Sequence, residues 1–195
     1  MIPLREPITG QAKKQEGKVV NGKIQGIGKE TYHDGTQYEG NFVKGLKEGK
    51  GKYTYADGAV YEGDWVQDRM EGKNGVFKWP DGKEYTGTWV NNQMHGSGQM
   101  KFPNGEAYAG QFVNGKRRGF GMLSIPDGSS YEGYWKNDQY HGEGKFTNKK
   151  GVVQEGKWFK GKFLESDLVR EPKTPKPADL SGKALNQSGK KQTPK

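Results

Sequence analysis

Three histidines, a recurring glutamate and a long series of Gly-x-Gly runs are the residues of this 195-residue chain that could do chemistry. Histidine beside carboxylates suits metal ligation or proton transfer. Gly-x-Gly ahead of a helix suits a phosphate. The spacing argues against each. His33, His95 and His141 lie far apart. Glu39, Glu62 and Glu132 recur at one fixed phase, whereas a catalytic pair is local and singular. No helical pattern follows any Gly-x-Gly run. The chain has no cysteine, so disulfides and thiolate zinc sites are excluded, and a reducing cytosolic compartment fits. No catalytic residue, metal site or cofactor is expected, and the chain reads as a non-enzyme.

The elements that carry these residues repeat. Tyr38-Glu39-Gly40-Asn41-Phe42 is followed by Tyr61-Glu62-Gly63-Asp64-Trp65, Tyr85-Thr86-Gly87-Thr88-Trp89, Tyr108-Ala109-Gly110-Gln111-Phe112 and Tyr131-Glu132-Gly133-Tyr134-Trp135. The tyrosines are 23, 24, 23 and 23 residues apart, and weaker copies start at Gln15 and Gln154. Such a period marks an array of small supersecondary units. Within each motif the tyrosine, glycine and aromatic share one face of a strand, and Glu62 and Asp64 point to the other. A second alternating run holds Tyr53 and Tyr55, Phe77 and Trp79, Met100 and Phe102, Leu123 and Ile125. Asp34-Gly35, Asp57-Gly58, Asp81-Gly82, Asn104-Gly105 and Asp127-Gly128 close one side of each unit. Asn21-Gly22, Lys44-Gly45, Asn91-Asn92, Asn114-Gly115 and Asn137-Asp138 close the other. The pattern predicts an all-β antiparallel meander. The wider Gly72 to Gly75 spacing reads as a bulge.

Only 30% of residues are hydrophobic and 32 are glycine, a composition that alone suggests disorder. The period overrules that reading, and 12% aromatic residues supply a thin core. Of the +9 net charge, residues 1–14 carry +2 and residues 171–195 carry +4, so the array is nearly balanced. Nothing in it points to nucleic acid. No N-terminal apolar run suits a signal peptide, and none is long enough to span a membrane.

Tyr-Glu-Gly-x-Trp, a polar turn, His-Gly-x-Gly and a closing Asp-Gly resemble the MORN repeat (membrane occupation and recognition nexus). Tyr131 to Gly151, with His141-Gly142-Glu143-Gly144, is the fullest match, and Tyr85 to Gly105 follows. Glu48, Glu71 and Arg118 replace the histidine elsewhere. The resemblance covers residues 15 to about 163. It implies an elongated, twisted single-layer sheet of stacked hairpins, and a scaffold of the kind found in cilia and flagella, at membrane junctions or beside lipid kinases.

The chain divides on this reading into an N-terminal arm at 1–14, the array at 15–165 and a basic Pro/Lys-rich tail at 166–195, disordered or extended. Tyr38, Phe42, Tyr61, Trp65, Tyr85, Trp89, Tyr108, Phe112, Tyr131, Trp135 and Trp158 form one aromatic column. Two readings stand side by side: the column is core, or glycine leaves a groove along it where a partner lies. Lys116, Arg117, Arg118, Lys149, Lys150, Lys173 and Lys176 are candidate basic contacts. The expected role is a structural subunit of a cytoskeletal assembly, by resemblance a ciliary or flagellar axoneme component of the radial-spoke-head type. Its partners would be other subunits, tubulin or axonemal proteins met by the tail, or further copies of the chain. The alternative is a peripheral membrane adaptor that holds anionic phospholipids through basic loops and tail.

Overall fold

A computed structural model describes Pro7, residues 12–164 and Val169–Arg170. The expected arm, except Pro7 and residues 12–14, lies outside the described residues, and so does the tail beyond residue 170. The described chain forms one antiparallel sheet without helix. Its strands are β1 (Lys14–Val20), β2 (Lys23–Thr31), β3 (Gln37–Val43), β4 (Leu46–Thr54), β5 (Val60–Val66), β6 (Arg69–Lys78), β7 (Glu84–Val90), β8 (Gln93–Lys101), β9 (Ala107–Val113), β10 (Lys116–Ser124), β11 (Ser130–Lys136), β12 (Gln139–Thr147), β13 (Val153–Phe159), β14 (Lys162–Phe163) and β15 (Val169–Arg170). They pair in sequence order from β1 to β14, and β15 pairs with the other end of β13. The expected meander is present as a single open layer.

Two turn chemistries alternate along it. After each short strand the two linking residues both adopt positive φ, as at Lys44 (52°) and Gly45 (81°), the I′ geometry that matches strand twist. Gln67-Asp68 and Lys160-Gly161 complete this series. After each long strand an Asp or Asn carboxamide or carboxylate accepts from the backbone two residues on, as Asp57 Oδ1 does from Ala59 N at 3.1 Å. The I′ turns also reach back one unit. Asp68, Asn92 and Asp138 donate their amides to the carbonyls of Lys47, Met70 and Arg117. Their side-chain oxygens accept from the amides of the same three residues at 2.7–3.0 Å.

Each Gly-x-Gly has two different jobs. The first glycine, such as Gly49 with φ 65°, sits where the long strand carries an extra residue against its short partner, and the register shifts there. In β6 the shift lies between Gly72 and Gly75 and the strand runs to ten residues, so the insertion is a bulge. The second glycine meets a tyrosine. A Cβ on Gly51 would fall onto the Tyr38 ring, and one on Gly40 would lie 2.5 Å from Gly51 Cα. The ring therefore lies flat over a Gly–Gly pair, and its hydroxyl donates to the Asn41 carbonyl at 3.0 Å. The same bond recurs from Tyr61, Tyr85, Tyr108 and Tyr131 at 3.0–3.1 Å.

The rings interlock from unit to unit. Tyr38 meets Trp65, Tyr61 meets Trp89, Tyr85 meets Phe112, Tyr108 meets Trp135 and Tyr131 meets Trp158, all edge to face at 5.0–5.4 Å. Trp65, Trp89, Trp135 and Trp158 donate Nε1–H to the carbonyls of Gly51, Gly75, Gly121 and Gly144. Facing residues compensate in size. Trp65 and Trp89 sit opposite Met70 and Met94, whereas the smaller Phe42 and Phe112 sit opposite Lys47 and Arg117. Buried Lys47 is held by Tyr32 Oη (2.7 Å), Glu30 (3.5 Å) and Asp68 (3.4 Å). Arg117 lies 4.3 Å over Trp135 and bonds Asp138.

Two predictions follow from the ring over the glycine pair. Gly51→Ala is expected to cost about 1–3 kcal/mol through overpacking, while Gln99→Ala, at an exposed position of β8 opposite the uncharged Thr86 and Ala109, changes stability by about 0.5 kcal/mol or less. Urea unfolding of both variants checks this. Burial pushes the Tyr108 and Tyr131 phenols up from 10 to about 12. The unfolded chain therefore ionises first as pH rises, and the stability these groups confer, complete below pH 10, is lost on the way to 12. A urea midpoint that is level below that window and falls within it is the expected profile; a midpoint level throughout would contradict it.

Candidate interaction surface

The aromatic column is core. Tyr38, Phe42, Tyr61, Trp65, Tyr85, Trp89, Tyr108, Phe112, Tyr131, Trp135 and Trp158 are all between 0% and 7% exposed. The reading of the column as a groove is therefore corrected, and the cause is local. Glycine does leave a low path between the rings, but the tyrosine of the same motif lies down and fills it. The rings of the long strands, Tyr53, Tyr55, Phe77 and Trp79 among them, close the flank of the column.

The exposed surface is the other face. One row of residues crosses it in unbroken register: Glu16, Lys29, Glu39, Lys52, Glu62, Val76, Thr86, Gln99, Ala109, Met122, Glu132, Lys145 and Glu155. Opposite charges face each other at both ends, an arrangement that stabilises sheets by a few tenths of a kcal/mol to about 1 kcal/mol per pair. The middle of the row is uncharged. A parallel row adds Lys50 against Asp64 at 2.8 Å and Gln111 against Ser97 at 2.9 Å. Phe120 and Tyr134 occupy this second row and are about half exposed.

Three shallow concavities lie along this face. One of about 520 Å³ is flanked by Glu39, Lys50, Lys52 and Glu62. The largest, about 770 Å³, sits over the uncharged middle at Thr86, Ser97, Gln99 and Gln111. The third, about 280 Å³, holds Phe120, Tyr134 and three glutamates. Such a long, ridged polar face can hold an extended chain or a flat protein surface. The sequence carried a sign of it in the outward phase of Glu62 and Asp64. Phe120 and Met122 went unnoticed because they occupy the intervening positions of a strand whose greasy face is Leu123 and Ile125.

The basic candidates do not form one surface. Lys116, Arg117 and Arg118 open β10 rather than a loop tip. Arg117 is spent on Trp135 and Asp138, and Arg118 is exposed. Lys149 and Lys150 are exposed in the turn between β12 and β13, at the opposite edge of the sheet. A strand of that length separates the edges by about 25–30 Å. Lys173 and Lys176 lie outside the described residues. His33, His95 and His141 stay in separate units, and among the described residues no three His, Cys, Asp or Glu side chains cluster as metal ligands.

A family model described as MORN repeat matches six consecutive segments, residues 16–37, 38–60, 61–84, 85–107, 108–130 and 131–153. A search of curated proteins finds no match. Solved structures that match include the TCP domain of Drosophila melanogaster SAS-4 in complex with a proline-rich motif of Ana2, at 13% identity over 68% of this chain and 72% of that one, with a TM-score of 0.43. The TCP10 domain of Danio rerio CPAP matches at 18% identity over 67% and 66%, TM-score 0.27. Its complex with a STIL peptide matches at 15% over 73% and 93%, TM-score 0.22. At these TM-scores no partner or activity passes from them to this chain.

The two faces make opposite predictions for neighbouring tyrosines. Tyr131→Ala empties the column and is expected to cost about 3–5 kcal/mol. Tyr134→Ala, on the outer face, loses at most a cross-strand pair, about 1 kcal/mol. Thermal and urea unfolding of the two variants decides whether the column is core.

Proposed function

The chain belongs to the MORN-repeat family, and from that premise we propose that it is a non-enzymatic scaffold, a structural subunit of a cytoskeletal assembly in the ciliary or flagellar axoneme. Family membership supports the scaffold role. The observation that carries the interaction reading is the continuous row from Glu16 to Glu155, which lays thirteen side chains across one face in a fixed order of charge. A partner that reads such a row meets acid and base at set intervals and a neutral centre. Buried rings keep that spacing fixed, because moving one strand moves the tyrosine of the next.

The axonemal placement rests on analogy with the family. The partners in this reading are neighbouring protein subunits. The separation of Lys116–Arg118 from Lys149–Lys150 disfavours a flat anionic membrane as the ligand, since basic residues contribute only about 1 kcal/mol each and must act together.

Epitope-tagged protein expressed in ciliated cells is expected along the axoneme and should remain there after a salt wash of isolated axonemes. A diffuse signal, or loss from the washed axoneme, overturns the placement. Salt-resistant flotation of the protein with phosphatidylserine vesicles would replace it with the membrane reading.

A further inference from the structure

The outermost row of the polar face, beside the I′ turns, departs from the repeat near one end of the sheet. β1, β3, β5, β7 and β9 end on valines, Val20, Val43, Val66, Val90 and Val113, but β11 ends on Lys136 and β13 on Phe159. The third residue of the long strands departs at the same place. Side-chain oxygens of Gln25, Glu48 and Glu71 accept from the amides of Lys44, Gln67 and Asn91 at 2.8–3.1 Å. Arg118 holds that position in β10 and, having only donors, cannot make this bond. A recurring structural contact is given up there for an exposed cation.

These departures meet in one strip. Gly119 pairs with Trp135, which sets Arg118 beside Lys136. Phe159 pairs with Lys162, and Lys160 Nζ lies 5.4 Å over its ring. The second row, two residues inward, carries the Phe120–Tyr134 pair and Glu143 opposite Lys157. Phe120, Tyr134 and Phe159 are 50%, 51% and 49% exposed. Arg118, Lys136, Lys157, Lys160 and Lys162 are exposed as well. Against these five bases the strip sets two acids among the described residues: Glu143, facing Lys157, and Asp138, bonded to Arg117. From β10 to β14 there are four strand spacings, about 19 Å.

A narrow, extended, acidic ligand fits this strip. Its two rows are about 7 Å apart, and an extended chain lying between them sends alternate side chains to either row. A layer of anionic headgroups does not fit, because the same flat face carries Glu132 and Glu155 just beyond the rings. Successive stacked bases do not fit either, since Phe120 and Tyr134 meet at 82° and offer no parallel platforms.

We propose that this strip binds an extended acidic segment of a partner protein, about six residues long, in which acidic and apolar side chains alternate. The apolar side chains rest on Phe120 and Tyr134, and the acidic ones face Arg118, Lys136 and Lys162. The proposal rests on the scaffold reading, whose partner it describes by chemistry, and not on the axonemal placement.

The test uses purified full-length protein, so its failure leaves the localisation experiment unaffected. A short peptide that alternates glutamate and phenylalanine is titrated into isotope-labelled protein, and amide shifts are followed. Shifts centred on Phe120, Tyr134, Lys136 and Phe159, weakening with added salt, are expected. Arg118→Glu/Lys136→Val puts back the residues that other units carry at those positions, so the fold is kept, and Kd should rise roughly tenfold. Phe120→Ser/Tyr134→Ser should weaken binding as well. A peptide that alternates lysine and phenylalanine should leave the strip unshifted. No shift with the acidic peptide, equal shifts with the basic one, or an unchanged Kd in either double variant overturns the proposal. Tighter binding of oligouridine or of phosphatidylserine vesicles through the same residues also overturns it, in favour of nucleic acid or membrane.

Discussion

The tyrosine ring lying over a glycine pair is the constraint on which the rest of this sheet depends. A single layer has no second layer to bury its apolar face, so the face must bury itself. Tyr38 does so by lying down across Gly40 and Gly51, where any Cβ would collide with the ring or the neighbouring backbone. That posture brings its edge against Trp65 of the next unit and its hydroxyl to the Asn41 carbonyl. Each tyrosine thus joins three things at once: its own strand, the following long strand and the next aromatic. The net worth of one such bond is modest, about 1 kcal/mol, and stability comes from the repetition, as in other arrays whose units touch only their neighbours.

Much of this was legible in the residues. The period, the two strands per unit, both turn series and the bulge at Gly72 to Gly75 follow from glycine phase and from the alternation of rings. The face assignment of Glu62 and Asp64 was legible too. What could not be read was ring posture. Alternation says that Tyr61, Gly63 and Trp65 share a face, but it leaves open whether the ring stands beside the glycine or over it. Standing rings leave a groove; reclining rings leave a core. The pairing of Phe42 with Lys47 and Phe112 with Arg117 was hidden for the same reason, since it requires strand register. Without register, Lys116-Arg117-Arg118 reads as a basic cluster. With it, the middle residue is a filler beneath Trp135.

Burial of one face assigns recognition to the other. The outer row takes no part in the ring packing, and its side chains follow one order along the sheet: charged, neutral, charged. The glycine that the core requires also keeps the sheet surface low between neighbouring rows, which is why the shallow concavities follow the Gly63, Gly87 and Gly133 line.

The hydrogen bonds of this sheet all run along its length, from β1 toward β14. A load applied between its two ends would therefore be borne by one hairpin's ladder at a time, as a zipper bears it, rather than by all ladders together in shear. Some 13 strand spacings amount to about 60 Å at rest, whereas the same 150 or so residues drawn out would reach about 500 Å. Under such a load the back-bonded turns at Asp68, Asn92 and Asp138 would be the points that tie one hairpin to the unit before it.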